Sequence, residues 1–349
     1  MTDPAAFTDF ARWCDGTSPL YARLARGVAA DDDLLAIAGA VPADQPGPNN
    51  LFAAVHALLL DGVDHPVRRF YPSVVDDPVS PEDVDPVPAF REFVVANEER
   101  IREFVSTRRT QTNAVGRCAA LYPAFAHVAE RVGEPFALVE VGCSAGLNLL
   151  FDRYRYRYET AAGERRVGHE HSSVSVETVL RGGDPTLPPT PPTVAERAGI
   201  DVNPLDVTDE ADVNWLRALV WPEHTDRLER LTAACELARR DPPRLVAGDA
   251  LDVLPEVVAA LPDGLPVVGF DTQVRYQFTE AERERFDEVL SAVAAGRALH
   301  WLSGDATVED DGDPGMTLTW TDFGGDGRKR ETTTLARYEG HGRWLRWLQ

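Results

Sequence analysis

The run Val139-Glu140-Val141-Gly142-Cys143-Ser144-Ala145-Gly146-Leu147-Asn148 carries the residue types and spacing best suited to chemistry. It follows an apolar stretch and opens a helix. Gly142 and Gly146 let the backbone turn tightly and let a ligand approach it. The N–H groups at the helix start would face the same space. Glu140 puts a carboxylate at the strand end, which suits a ligand with a cationic amino group better than a pyrophosphate. That favours S-adenosylmethionine over NAD. Three further segments fit in order. Ala198–Pro204 contains Asp201, where a ribose diol would be held. Val246–Ala250 offers Asp249 to an adenine amino group and the Ala250 N–H to the ring. Val267–Gln273 runs from apolar residues into Asp271 and Gln273. Ligands gather at the carboxyl ends of parallel strands, so the four segments would converge. The plainer reading of Asp201 and Asp249 is that they cap the helices that follow.

Cofactor-binding candidates are thus Glu140, Gly142, Ser144, Gly146, Asn148, Asp201, Asp249 and Ala250, and replacing Gly146 by Val should remove binding while sparing the fold. Catalytic candidates are Asp271, Gln273, Tyr276 and Arg117, with Arg275 beside them. Methyl transfer chiefly needs an aligned nucleophile, so a base is optional. Gln111, Asn113 and Arg117 are expected to line the same pocket as Gly142 and Asp249, with Arg117 on the methyl acceptor. The alternative is that Gln111, Thr112 and Asn113 cap a helix. His341, Arg343 and Trp344 would fold back over the pocket, unless Trp344 only packs with Trp347. A rival reading uses Gly142-Cys143-Ser144-Ala145-Gly146 as G-x-S-x-G, the nucleophile elbow of serine hydrolases, with Asp271 or Asp305 and His341 completing a triad. A third is a binding or sensor protein without catalysis. His169 and His171 stand at HxH spacing, but the histidines form no HExxH motif, and no metal is expected.

Elements must hold these residues in place. Before Phe136 the chain reads helical. Ser18-Pro19 starts one helix, Asn49 and Asn50 would cap another over Leu51–Leu60, and Phe90 to Val105 reads as one long helix interrupted at Asn97. A further helix runs from about 114 to 131. From Phe136 strands and helices alternate, the pattern of a doubly wound, mostly parallel α/β sheet. Strands are expected at Phe136–Val141, Val194–Val202, Arg244–Ala247, Pro266–Phe270 and Ala298–Leu302. Helices are expected at Ala145–Asp152, Glu210–Val220, Thr225–Arg239, Leu251–Leu261 and Glu280–Ala295. Met316–Asp322 and Glu331–Tyr338 read as a closing antiparallel hairpin. The domains follow: a helical region over 1–110 that lids the sheet, and an α/β core over 111–349 with an inserted hairpin at about 153–193. In that insertion Arg153–Tyr158 alternates Arg with Tyr. As a strand it puts three tyrosines on one face.

Charge narrows the partners. The chain has 349 residues, with 57 acidic against 35 basic and a formal net charge of −22; Lys329 is its only lysine. So acidic a surface repels phosphate backbones and anionic membranes, and it fits a salty cytoplasm in which ions screen the repulsion. Four scattered cysteines form no CxxC pair. No apolar run is long enough to span a bilayer, so a cytoplasmic protein acting on a small molecule is expected. The oligomeric state is not readable.

Taken together, Thr110–Arg117, Val139–Tyr158, Gly199–Thr208, Asp241–Asp249 and Gly340–Trp344 resemble an uncharacterised prokaryotic family known only as a domain of unknown function, number 2332. The resemblance covers nearly the whole chain. Its core is similar to class I S-adenosylmethionine-dependent methyltransferases, whose first motif falls on Glu140, Gly142, Ser144 and Gly146, with Ser144 in place of the middle glycine. Asp201, the ribose acid in that scheme, stands 55 residues beyond Gly146. The intervening segment is then an insertion.

Overall fold

A computed structural model describes residues 3–133, 135–306 and 315–349. The chain forms two compact units. One comprises 1–112 and 208–232; the other comprises 113–207 and 233–349. Elements are numbered in chain order.

The first unit is helical: α1 (Pro4–Cys14), α2 (Pro19–Ala29), α3 (Asp32–Ala38), α4 (Gly47–Leu60), α5 (Val87–Ala96), α6 (Glu98–Thr107) and α8 (Glu210–Ala218). Ser18 caps α2 by accepting from the Tyr21 N–H, with Pro19 in the first turn. Asn49 and Asn50 do not cap α4, which begins at Gly47 with Pro48 in its first turn. Asn50 is buried instead, where it accepts from the Thr110 hydroxyl at 2.5 Å. The long helix expected from Phe90 to Val105 is two helices. Asn97 ends α5, its side chain donating to the Phe93 carbonyl at 2.9 Å, which is how a short amide competes with the helix ladder. The core gathers Phe7, Phe52, Phe90 and Phe93 from α1, α4 and α5. Helix α8 joins this unit, with Asn214 donating to the Ala57 carbonyl of α4 at 3.1 Å.

The second unit is a mixed α/β structure built on an 11-stranded sheet. Its strands are β1 (Phe136–Val141), β2 (Arg155–Thr160), β3 (Gly163–Gly168), β4 (Ser175–Gly182), β5 (Val194–Asp201), β6 (Arg244–Ala247), β7 (Val267–Thr272), β8 (Leu299–Ala306), β9 (Met316–Asp322), β10 (Glu331–Tyr338) and β11 (Trp344–Trp347). Their order is β3-β2-β4-β11-β10-β9-β8-β7-β1-β5-β6. The block β6-β5-β1-β7-β8 is parallel throughout. β9 and β10 continue it as an antiparallel hairpin with the bounds read from the sequence. The unit's helices are α7 (Cys118–Val132), the end of α9 (Thr225–Arg240), α10 (Ala250–Ala259) and α11 (Glu280–Ala294). Val139 and Val141 face α10 and α11 in one apolar cluster with Leu254, Val257 and Phe286. On the other face Phe125 of α7 packs on Phe151 at 4.3 Å and on Phe270 at 5.3 Å. The helix expected over Ala145–Asp152 is a 3-10 segment, Leu147–Arg153.

The insertion is more than a hairpin. β2 lies between antiparallel β3 and parallel β4, so β3 is the edge. Tyr154, Tyr156 and Tyr158 are buried, and their hydroxyls donate to the carbonyls of Leu147, Phe151 and Ala119. The tyrosine face is a core surface.

Candidate functional site

The sheet reverses its winding at β1, whose neighbours are β5 on one side and β7 on the other. Such a reversal opens a crevice at the carboxyl ends of the strands. Glu140 is 1% exposed. Its Oε1 accepts from the Asn148 amide at 3.3 Å, and Asn148 in turn accepts from the Cys118 thiol at 3.4 Å. Its Oε2 is buried with no hydrogen-bond partner. Burial pushes the Glu140 carboxyl well above the usual carboxylate range, against the pull of Asn148 and the Arg117 charge. An ionised carboxylate loses its hydration there, so burial favours the neutral form.

The turn after β1 differs from the expected open cradle. Gly142, Ser144 and Gly146 all have left-handed φ, at 73°, 50° and 71°. The amides of Gly142 and Cys143 donate to the Ile200 carbonyl at 2.8 and 3.2 Å. Ser144 N–H donates to Asp201 Oδ2 at 2.8 Å, and Leu147 N–H to Asn113 Oδ1 at 3.0 Å. Four of the amides expected to face a ligand are therefore held by the protein. A Cβ on Gly142 would stand 2.3 Å from Val274 Cγ2, and one on Gly146 would stand 2.8 Å from Leu245 Cδ2. Close packing explains both glycines. The expectation that Gly146→Val would spare the fold fails, because that side chain collides with Leu245 and Pro243.

Asp201 ties β5 to this turn, since its other oxygen accepts from the Asn203 N–H at 2.9 Å. Asp249 is exposed and caps α10 through the Leu251 N–H at 2.9 Å, while Ala250 is buried against the α10–α11 cluster.

At the end of β7, Asp271 is fully buried between two donors, the Trp301 indole N–H at 2.7 Å and the Ser303 hydroxyl at 2.9 Å. Burial raises its carboxyl to about 6, opposed by those hydrogen bonds. Gln273 follows with φ of 61°, its N–H on the Gly304 carbonyl at 2.7 Å. Tyr276 is 57% exposed, and Arg275 pairs with Asp287 at 2.6 Å.

Arg117 reaches this edge and is 4% exposed. Nε donates to the Gly340 carbonyl at 3.0 Å, one Nη to the Thr272 carbonyl and hydroxyl at 3.3 and 3.1 Å, and the other to Gln273 Oε1 at 2.6 Å. The expected acceptor contact is thus occupied by protein oxygens, and Arg117 joins β7 to the 339–343 loop. Gly342 sits so close to Gly116 that a Cβ would stand 1.9 Å from its carbonyl oxygen. Gln111 and Thr112 belong to the first unit, Asn113 and Arg117 to the second. Trp344 opens β11 and lies under the Arg181 guanidinium at 4.7 Å.

Ser303 escaped the sequence reading, and so did the Cys118–Asn148 link. The signal for Ser303 was the alternation Trp301, Ser303, Asp305, which shares a face with Asp271 through the β7–β8 register.

A family profile described as uncharacterized protein conserved in bacteria (DUF2332) matches residues 4–347. The chain belongs to this family. No curated protein matches this DUF2332 chain. Among its described residues no helix is long and apolar enough to cross a membrane, and no three His, Cys, Asp or Glu side chains group as a metal site.

Proposed function

We propose that this DUF2332 protein binds S-adenosylmethionine at the β1–β7 reversal and directs methyl transfer to a small molecule. The carrying observation is the buried, unpartnered Oε2 of Glu140. An acceptor oxygen kept from water at a winding reversal is costly unless a donor completes it, and an ammonium group would do so. The parallel order, third-second-first-fourth-fifth along the chain, supports the same reading, as does the first-motif spacing. Asp249 keeps lone pairs beyond the backbone bond it accepts, and these suit an adenine amino group, while Asp201 stands at the end of β5 where a ribose would lie. The ligand supplies an electrophilic methyl group. The chain's share is to hold and orient: Glu140 takes the ammonium, Arg117 fixes Thr272 and Gln273, and Tyr276 stands at the open side. Closing such a site keeps water from the nucleophile.

Calorimetry with S-adenosylmethionine and S-adenosylhomocysteine in molar potassium chloride tests this. Burial favours the neutral form of Glu140 and a bound ammonium would favour the ionised one, so the heat should vary with the buffer's ionisation enthalpy, to the extent of up to one released proton. Glu140→Gln should weaken binding about tenfold or more, roughly 1.4 kcal/mol, and abolish the buffer dependence. Absence of binding by the wild type, or equal affinity in Glu140→Gln, overturns the proposal.

One pair of observations favours the hydrolase reading instead. Ser144 has the left-handed φ of a nucleophile elbow, and the Ala145 N–H meets no acceptor among the described residues, as an oxyanion donor would require. Against it, the turn enters a 3-10 segment, and β1 is the first strand of the parallel block.

A further inference from the structure

The second unit also holds a groove of about 480 Å3 that shares Tyr276 with the proposed methyl-transfer site but is otherwise lined by residues to which that proposal gives no role in binding. Its floor is the β8–β9 face, where Ser303 and Asp305 stand opposite Thr319 and Thr317. Its wall is one face of α11, with Arg283, Asp287 and Leu290 at helical spacing. Arg275 closes one end, and Lys329, the only lysine of the chain, leans in from the β9–β10 connection.

The charge of the described lining is opposite in sign to the net charge of the chain. Lys329 Nζ and an Arg275 Nη both bind Asp287, at 2.7 and 2.6 Å, so two cations share one carboxylate. Burial would raise the Asp287 carboxyl, yet the Lys329 hydrogen bond and the Arg275 charge hold it below its ordinary value. Arg283 donates its Nε to the Arg275 carbonyl at 2.9 Å; its two Nη atoms make no hydrogen bond among the described residues, and its charge acts on Asp305. Asp305 is the other acid in the lining, and burial raises its carboxyl. Among the described residues that line the groove, three cations face two acids, a positive excess in a chain of net charge −22. The hydroxyls of Thr317 and Thr319 add donors with no partner among the described residues. A planar guanidinium fork beside free hydroxyls is a donor set matched to an oxyanion.

The geometry points to this groove as a binding site for the carboxylate or phosphate group of a small molecule, with Arg283 and Lys329 as its cationic contacts. The assignment of this anion site does not rest on S-adenosylmethionine binding, although Tyr276 borders both sites.

Lys329 provides the readout. Reductive methylation with formaldehyde and a borane reductant marks it alone among the side chains, and peptide mass spectrometry separates it from the amino terminus. The full-length chain is treated at constant ionic strength in potassium chloride, with either inorganic phosphate or benzoate replacing part of the chloride. Bound anion shields the amine, so at about ten times Kd its modification should slow about tenfold. Slowing by phosphate alone assigns a phosphate ester, by benzoate alone a carboxylate, and by both a general oxyanion site. Arg283→Ala, an exposed substitution, should leave the anion-free rate unchanged and remove the protection. If neither anion slows the reaction, or if protection persists undiminished in Arg283→Ala, the proposal is overturned.

Discussion

Replacing Arg117 by Met should destabilise the second unit severely, and the cost follows from its partners. Methionine keeps much of the length and apolar volume, so packing changes little. The loss is electrostatic. Four acceptors, the Gly340 and Thr272 carbonyls, the Thr272 hydroxyl and Gln273 Oε1, lose their donor at a buried site. Breaking a buried, hydrogen-bonded charge network by removing one partner costs about 3–5 kcal/mol. At roughly 2–4 °C per kcal/mol for a domain of this size, the melting midpoint should fall by about 6–20 °C. Differential scanning calorimetry in molar salt measures it. Hydrogen exchange localises it: the Gly342 N–H, bonded to the Glu339 carbonyl at 2.7 Å, should exchange faster. Arg117→Lys keeps the charge but not the fork, and should fall between the two. A methionine variant melting within about 2 °C of the wild type would refute the clamp, because the four bonds would then be worth under about 1 kcal/mol.

Asp271 should leave a pH signature. Its folded carboxyl titrates near 6, above the ordinary range, so its contribution is fully present below about pH 4 and is lost as pH rises through 6, a change of order 2–3 kcal/mol. The wild type should therefore lose ground to Asp271→Asn across that window in urea unfolding, and a flat difference curve would contradict it. Net charge of −22 should make the midpoint rise between low and molar chloride, as the Debye length shrinks to about 3 Å; equal midpoints would give the acidity another purpose. A fluorophosphonate probe should not label Ser144, and stoichiometric labelling there would reverse the ranking of methyltransferase over hydrolase.

The sequence revealed the parallel block and the antiparallel hairpin beside it readily, because β1, β6 and the β9–β10 hairpin are apolar or alternating runs with clear stops. It misplaced the ends that matter for the site. The strands expected to stop at Phe270 and Leu302 continue to Thr272 and Ala306. Polar residues at a strand end look like loop until a neighbour is known to pair with them, and here β8 pairs with Asp271 and Thr272 while β9 pairs with Ser303 and Asp305. Asp271 was therefore visible as an acid, but Ser303 was not visible as its partner. The turn glycines were found for a reason only partly right. The spacing showed that side chains were excluded, and the structure shows Val274, Leu245 and Pro243 filling the space. β11 was missed altogether. It has four residues, two of them tryptophan, and no alternation of its own could identify it.

That short strand also bears on the order of assembly during synthesis. β11 lies between β10, with which it is antiparallel, and β4, with which it is parallel. Without it, β4 and β10 each present a bare row of amides and carbonyls. Residues 344–347 leave the ribosome more than 160 residues after β4, so throughout that interval the inserted strands hold an open template for another chain to pair with. Joining the two halves of the sheet is thus a late event, and the exposure to misassembly is set by the delay before β11 arrives.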